Sequence, residues 1–310
     1  MPAISAHWAE LITPQTTEAF YMGWSADGRR TSLIPTLFRM ETSQRAFEDH
    51  IGVGQFGSNG WNFEDTGRVQ YDERNKGHKK TFTHVEFAKG HIVERKLVDD
   101  NLTQVIFDDA RELGDSAFRQ REKSAANIFI NAFTDSGTDS DGFAIAGPDG
   151  VGLGSTAHPL SADDASTQTN EGTLTLTKAN VSTTRQLHMA LTDDRGDILN
   201  IMPDLLLVPP ELEDSGIEIT KSVLDPTSAN NAVNPQNGRF SLLPWHYLTD
   251  ATAWFMIDSA RMKRDLIWYE RIPVEYAADG DFDTLQAKFR AYSRYSRGFR
   301  YWAWAYCQNG

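Results

Sequence analysis

Asn101-Leu-Thr-Gln-Val-Ile-Phe-Asp-Asp-Ala110-Arg-Glu-Leu-Gly-Asp-Ser-Ala-Phe-Arg-Gln120-Arg-Glu-Lys-Ser-Ala-Ala-Asn-Ile-Phe-Ile130-Asn-Ala-Phe133 reads as one long helix. Ile106, Ala110, Leu113 and Ala117, then Ala125, Ile128, Phe129, Ala132 and Phe133, recur at the three- and four-residue spacing of a buried helical face. Asp108, Arg111, Glu112, Asp115, Arg119, Glu122 and Lys123 fall mostly off that stripe. Gly114 is its one weak point, because glycine is a poor helix former. The run stops in Asp135-Ser-Gly-Thr-Asp-Ser-Asp-Gly142, whose glycines and short polar side chains favour turns over helix. At 1.5 Å per residue the helix is a rod of roughly 45–50 Å, a scaffold for the rest of the chain. The residues before it read as extended and arm-like, and those after it as a globular body.

Working outward toward the N-terminus, Gly67–Arg95 reads as a long hairpin. Val69 and Tyr71 lead into the turn chemistry of Asn75-Lys76-Gly77-His78, and Lys79–Phe87 returns with Thr81, Phe82, Thr83, Val85 and Phe87. Asp72, Glu73, Arg74, Lys76, Lys79 and Lys80 crowd its edges, so it is too polar for a core element. Isolated two-stranded hairpins are marginal in water, so this one needs a neighbouring chain to lie on. Before it, Thr16–Trp24 is a short amphipathic piece, Ser32–Met40 is apolar but broken by Pro35, and Gly52, Gly54, Gly57 and Gly60 loosen Ile51–Gly60. Residues 1–62 carry too little periodic apolar sequence for a core of their own and read as an arm.

Toward the C-terminus, Phe143–Ala157 is glycine-rich, with Gly142 at its edge, and leads into His158-Pro159-Leu160. Ser161–Gly172 is a polar loop. Thr173–Ala190 starts strand-like at Leu174 and Leu176 and turns helical, Leu205–Val208 is a buried strand, and Pro209-Pro210-Glu-Leu-Glu213 opens a helix running to Lys221. Asp225–Gly238 is a surface loop. Ser241–Tyr247, Thr252–Ile257 and Leu266–Tyr276 are strands. Leu285–Tyr295 and Phe299–Tyr306, joined by a turn at Ser296-Arg297-Gly298, close the chain as an antiparallel pair. The order of elements is that of an α+β protein.

The 310 residues suffice for one large domain or two smaller ones. The one cysteine, Cys307, excludes an internal disulfide and a cysteine-based zinc site. No apolar run is long enough to span a membrane, and the first residues lack the regions of a signal peptide. These features predict a protein made and kept in a cytoplasm until assembly or release. The net charge of −13 is concentrated in the middle: residues 135–260 hold 18 acidic and 5 basic side chains. That face should repel a polyanion, which argues against nucleic-acid binding as the main task.

Catalytic and ligand motifs are weak. Gly147-Pro-Asp-Gly-Val-Gly-Leu-Gly154 lacks the Lys-Ser/Thr of a phosphate loop and does not join a strand to a helix. Asp135, Asp139 and Asp141 resemble a calcium loop, but Gly137 is no ligand and Ala146 stands where a Glu is needed, so the segment reads as a solvated helix terminus. His158 could serve as a base, yet Ser155 lacks the setting of an activated nucleophile. Glu270 with Glu275, or Asp193 with Asp194, could form a carboxylate pair of a hydrolase. The aromatic Tyr301–Tyr306 stretch could stack sugars or bases, though such stretches more often fill cores.

His158-Pro159-Leu160, Leu206-Leu-Val-Pro-Pro-Glu-Leu212 and the closing Arg294…Gly298…Tyr301-Trp302-Ala-Trp304 occur in an order that resembles tailed-bacteriophage major capsid proteins, in particular the Mu-like major head subunit group. Asp99-Asp100-Asn101 opening the helix after a polar hairpin belongs to the same pattern. The resemblance runs from about residue 45 to the end. It implies the fold named after phage Hong Kong 97: an N-terminal arm (1–62), an extended hairpin loop (63–98), a peripheral domain with a spine helix (99–159), an axial domain (160–262) and peripheral closing strands (263–310). It implies a structural head protein that self-assembles into pentamers and hexamers of an icosahedral shell around double-stranded DNA, without sequence-specific binding, catalysis, cofactor or metal. Partners implied are copies of itself, a separate scaffolding protein, a portal and a decoration protein. The place implied is the virion capsid, assembled in the bacterial host's cytoplasm. The candidate assembly contacts are Asp72, Glu73, Arg74, Lys76, Lys79 and Lys80. Lysines are available on the hairpin for covalent cross-linking, but the closing strands hold no Asn before Asn309, so cross-linking is not expected. The rival readings are a hydrolytic enzyme with a carboxylate-based site and a ring-forming phage tail or adaptor protein.

Overall fold

A computed structural model describes residues 8–25, 31–58, 69, 71–100, 103–164, 166–224, 233–281 and 285–310, without the side chains of residues 8–12, 98 and 99. The first seven residues, Gly60, Gly67, Asn101 and the 225–232 part of the predicted surface loop lie outside the described residues.

In chain order the elements are α1 (Trp8–Ser25), α2 (Ile34–Leu37), β1 (Arg39–Thr42), β2 (Phe47–Val53), β3 (Lys76–Thr83), β4 (Val85–Glu94), α3 (Arg95–Asp99) and α4 (Thr103–Ile130). The short strands β5 (His158–Pro159), β6 (Thr167–Gln168) and β7 (Glu171–Gly172) precede α5 (Lys178–Met189), β8 (Leu205–Val208) and α6 (Glu213–Lys221). Then come β9 (Ser241–Pro244), β10 (Ala253–Ile257), α7 (Ser259–Asp265), β11 (Leu266–Asp281), β12 (Gln286–Phe299) and β13 (Ala305–Asn309). Two sheets dominate: β1-β11-β12-β4 and β7-β13-β10-β8-β9.

The predicted long helix is α4, 28 residues. Its first half packs on the four-stranded sheet: Ile106 meets Val93, Ala287 and Phe289, and Leu113 meets Phe20 and Ala291. Its second half enters the main core, where Ala125, Ala126, Ile128 and Phe129 join Trp268, Tyr295 and Phe299 of one sheet and Leu207, Phe255 and Ile257 of the other. One helix thus ties both sheets together. The five-stranded sheet is covered on both faces. Leu207, Phe255, Ala305 and Cys307 face α4, while Leu206, Val208, Trp254, Met256 and Tyr306 pack with Val181 of α5 and Ile219 of α6, the two-residue alternation of a strand.

Gly114 is a crossing point and not a weak point. A Cβ there would overlap Phe20 O, and one at Gly23 would overlap Arg111 O, so α1 and α4 meet backbone to backbone. The N-terminal segment is accordingly an 18-residue helix laid on α4, continuing through Pro14. Glu122, placed off the stripe by periodicity, is 2% exposed and accepts from Ser32 Oγ at 2.5 Å, which anchors the segment leading into α2.

Four further sequence expectations are corrected. First, the hairpin is not Gly67–Arg95. β3 pairs antiparallel with β2, with Phe47 opposite Thr83 and Ile51 opposite Lys79, and β4 pairs with β12 in the four-stranded sheet. The turn signal at Asn75–His78 marks the start of β3; the glycines of Ile51–Gly60 masked the strand that precedes it. Second, Ser296-Arg297-Gly298 is no turn. β12 runs through it, because Ser296 and Arg297 are held by buried partners and Gly298 makes room for Phe82, which a Cβ would approach to 2.9 Å. The chain turns at residues 300–304 instead, and β13 joins β10 in the five-stranded sheet. Third, the Asp135–Gly142 segment is not merely solvated. Asp139, 3% exposed, forms an ion pair with Arg297 and accepts from the N–H groups of Asp141 (2.9 Å) and Phe143 (3.0 Å). Fourth, Leu174 and Leu176 form no strand; Thr177 caps α5 by accepting from Asn180 N.

Candidate functional site

β2 and β3 form a two-stranded ribbon outside both main sheets. Its root is built from buried groups. Phe82 is 2% exposed against Ile267 and Tyr269, and the His84 ring lies between Ser43 Oγ (3.1 Å from Nε2) and Ser296 Oγ (2.9 Å from Nδ1). Burial holds the His84 pKa below its usual value, with the Arg294 charge acting in the same direction. Beyond the root the ribbon arches over the body and encloses a cleft of about 730 Å³, lined by His50, Gly52 and His78 on the ribbon side and Arg261, Arg300 and Tyr301 on the body side.

The alternation of β2 sends Glu48, His50 and Gly52 toward the body and leaves Phe47 (51%), Ile51 (66%) and Val53 (55%) exposed on the outer face. Phe56 (60%), which borders the cleft, and Tyr71 (94%) are exposed as well. Scattered exposed apolar residues are ordinary, but a row of them on one face of a ribbon is the mark of an interaction surface.

The six candidate contact residues separate into two groups. Lys79, on the outer face, pairs with Asp49 at 2.7 Å, and Thr81 donates to the same carboxylate at 2.5 Å, which holds the Asp49 pKa down. Lys80, on the inner face, donates to Ala146 O, and burial lowers its pKa. Lys76 is exposed at the start of β3. Near the tip, Arg74 Nε donates to Gly54 O at 2.6 Å and its guanidinium lies over the Phe56 ring. Asp72 accepts from Arg195 Nη1 at 2.9 Å, and the Glu73 carbonyl accepts from Arg195 Nη2. The structure therefore brings Asp72 and Glu73 to a turn at Asp193–Asp197, whose acids the sequence suggests only as a possible carboxylate pair. The signal for it is present in Thr192-Asp-Asp-Arg-Gly-Asp197, a turn sequence dense in charge.

The residues weighed for catalysis have other partners. Glu270 accepts from Arg121 at 2.7 Å. Asp193 closes its own turn, and Asp194 holds the ribbon tip. His158 is fully buried and stacks on Trp302, ring centroids 4.1 Å apart. Its Nδ1 lies 2.6 Å from Asp149 Oδ2 and its Nε2 3.0 Å from Asn170 Oδ1. Asn170 Nδ2 donates to Leu153 O and Ala305 O, so the His-Pro-Leu motif bolts the glycine-rich segment to the last strand. Ser155 Oγ accepts from Ala157 N. Among the described residues no group of three His, Cys, Asp or Glu side chains is placed to hold a metal ion, and no helix is long and apolar enough to cross a membrane.

Comparison with known proteins places this geometry. The profile of a family described as phage capsid protein matches residues 79–307. The capsid of bacteriophage JBD30, decorated with minor capsid protein trimers, superposes with a TM-score of 0.54 at 15% identity, covering 71% of this chain and 92% of that one. The capsid of an empty GTA particle gives 0.54 at 15% identity, with 89% of each chain covered. A virus-like particle from Pyrococcus furiosus gives 0.54 at 9% identity, over 95% of this chain and 98% of that one. No curated protein matches.

Proposed function

This chain belongs to the phage capsid protein family and is a structural major capsid protein; on that premise we propose that its copies assemble as hexamers and pentamers into an icosahedral head around double-stranded DNA. The observation that carries the proposal is the β2–β3 ribbon: a long, charged, two-stranded element outside both sheets whose outer face exposes Phe47, Ile51 and Val53. Such a ribbon is unstable alone and gains by lying on a neighbour. A shell is built from many copies of one repeated contact.

In this reading α4 is the spine of a peripheral domain (99–159 and 263–310), residues 160–262 are the axial domain around the capsomer centre, and the N-terminal helix and ribbon are the arm and extended loop. Asp72, Glu73, Arg74, Lys76, Lys79 and Lys80 are the assembly contacts. The acidic middle of the chain discourages adhesion of DNA. A scaffolding protein, a portal and a decoration protein are the further partners, and assembly takes place in the host cytoplasm before the head joins the virion.

Size-exclusion light scattering with negative-stain electron microscopy tests this, on the chain expressed alone and with the products of neighbouring genes. Rings of five or six subunits, shells or polyhedra are the expected outcome. Open tubes would favour a tail protein, and a monomer or dimer under every condition would overturn the proposal.

A further inference from the structure

Both legs of the ribbon are pinned at one place. His84 stands between Thr83, the last residue of β3, and Val85, the first of β4, where one leg passes into the four-stranded sheet. Ser43 follows β1 at the root of the other leg, and its N–H donates to Glu270 O at 3.0 Å. Ser296 belongs to β12, opposite Tyr269 of β11. The side chains of Ser43, His84 and Ser296 meet out of solvent, at 4%, 4% and 1% exposure. One imidazole thus clasps the two legs and the sheet.

The hydrogen bonds decide where the ring carries its proton. A serine hydroxyl has one proton to give. Ser43 Oγ gives its own to Glu48 Oε1 at 2.8 Å and accepts from Arg45 N at 3.1 Å. Toward His84 it therefore accepts, and Nε2, 3.1 Å away, carries the ring proton. Nδ1 of the neutral ring offers only a lone pair, so it accepts from Ser296 Oγ at 2.9 Å. A directed chain runs from Ser296 of the sheet through His84 and Ser43 to Glu48 of β2.

A second ring proton breaks that chain. On Nδ1 it would face the Ser296 proton, and the hydroxyl would have to turn away. It would also place a charge beside two of the same sign, Arg294 of β12 and Arg271 of β11. Glu48 of β2 is the facing carboxylate that favours the proton, but it is shared with Arg45 at 3.8 Å. Glu86 of β4 lies 3.7 Å from Arg294, and Tyr269 of β11, ring centroid 6.4 Å away, is kept neutral by burial.

We propose that His84 is a proton-operated hinge pin: the neutral ring locks the ribbon root to the four-stranded sheet, and protonation of Nδ1 loosens both legs while the two main sheets keep their form. This concerns how firmly the ribbon is held on its own subunit, whichever copies it touches. The direction follows from burial. The folded-state pKa of the ring lies below the ordinary 6.5, so the lock is complete above pH 6.5 and is lost as pH falls through that lower value.

Hydrogen exchange read by mass spectrometry on the purified full chain tests this, with protection taken relative to the intrinsic exchange rate at each pH. Peptides covering Phe47–Val53 and Lys76–Thr83 should lose about tenfold in protection between about pH 7 and pH 5, the order expected when a buried hydrogen bond gives way to an unpaired donor. Ala253–Ile257 of β10 should keep its protection. His84→Gln has a donor and an acceptor but does not titrate, so it should remove the pH dependence, whereas His50→Gln on the same ribbon should leave it. Ser296→Ala keeps the histidine and deletes the bond that only the neutral ring accepts, so the loss should move to higher pH. Ribbon protection that falls as steeply in His84→Gln as in the unmodified chain, or a transition that Ser296→Ala leaves in place, would overturn the inference. Neither result bears on the capsid reading.

Discussion

Arg121 Nη1 of the long helix lies 2.7 Å from Glu270 Oε1 of β11, and the guanidinium sits over the rings of Trp24, Trp268 and Tyr295 at 5.5, 5.1 and 5.6 Å. One cation thereby joins the N-terminal helix, the long helix and the four-stranded sheet. Glu270→Ala removes its ion-pair partner and leaves it among aromatics. Because Glu270 is 22% exposed, the expected cost is about 2–3 kcal/mol, at or just below the lower end of the roughly 3–5 kcal/mol for breaking a fully buried pair. Urea unfolding measures it, and a wild-type midpoint would show that the pair is not coupled to the fold.

Gly114→Ala separates packing from propensity. On propensity alone it should stabilise a helix interior by about 1 kcal/mol. The Phe20 carbonyl occupies the space a Cβ needs, so the substitution should instead lift α1 off α4. The expected result is faster proteolysis within residues 8–25 and a lower melting temperature. A more stable variant with a protected N-terminus would contradict the backbone-to-backbone crossing of α1 and α4.

Acid should weaken the fold through His188. Burial holds its pKa at about 4, below the ordinary 6.5, while Nε2 donates to Ala303 O at 3.0 Å. A depressed folded-state pKa means the unfolded chain binds the proton first. The contribution is therefore complete above pH 6.5 and is lost as pH falls from there through about 4. His50, His84 and His91 are shifted the same way by burial and add to the slope. In His188→Gln the fall in melting temperature between pH 7 and pH 4 should shrink; an unchanged slope would exclude His188 as a cause.

Lys79→Glu with Lys80→Glu removes the ion pair to Asp49 and the donor to Ala146 O, both on the ribbon and outside the main core. Near-ultraviolet circular dichroism should stay native while sedimentation shows assembly lost. Normal shells from this variant would remove the two lysines from the contact.

The long helix, the Leu205–Val208 strand and the helix after Pro209-Pro210 are legible in the sequence because each satisfies one local rule: helical spacing, an apolar run, or proline and acids in a first turn. The ribbon is not, because its two strands, Phe47–Val53 and Lys76–Thr83, are more than twenty residues apart. Turn chemistry at Asn75–His78 points to a nearer partner, whereas pairing is decided by tertiary packing at Phe82 and His84. Arg297 looks like a turn residue beside Gly298; only the fold reveals that Asp139, 158 residues away, awaits it. The contact of the Asp193–Asp197 turn with residues 54–75 is hidden for the same reason, since Asn75 and Asp194 meet across 119 residues.

The most direct measurement is an electron cryomicroscopy reconstruction of the assembled particle that traces Phe47–Val53 and Lys76–Thr83. The account predicts a closed shell in which this ribbon lies across a neighbouring subunit that covers Phe47, Ile51 and Val53. A closed shell in which every ribbon rests on its own body, with Phe47, Ile51 and Val53 facing solvent, would contradict it.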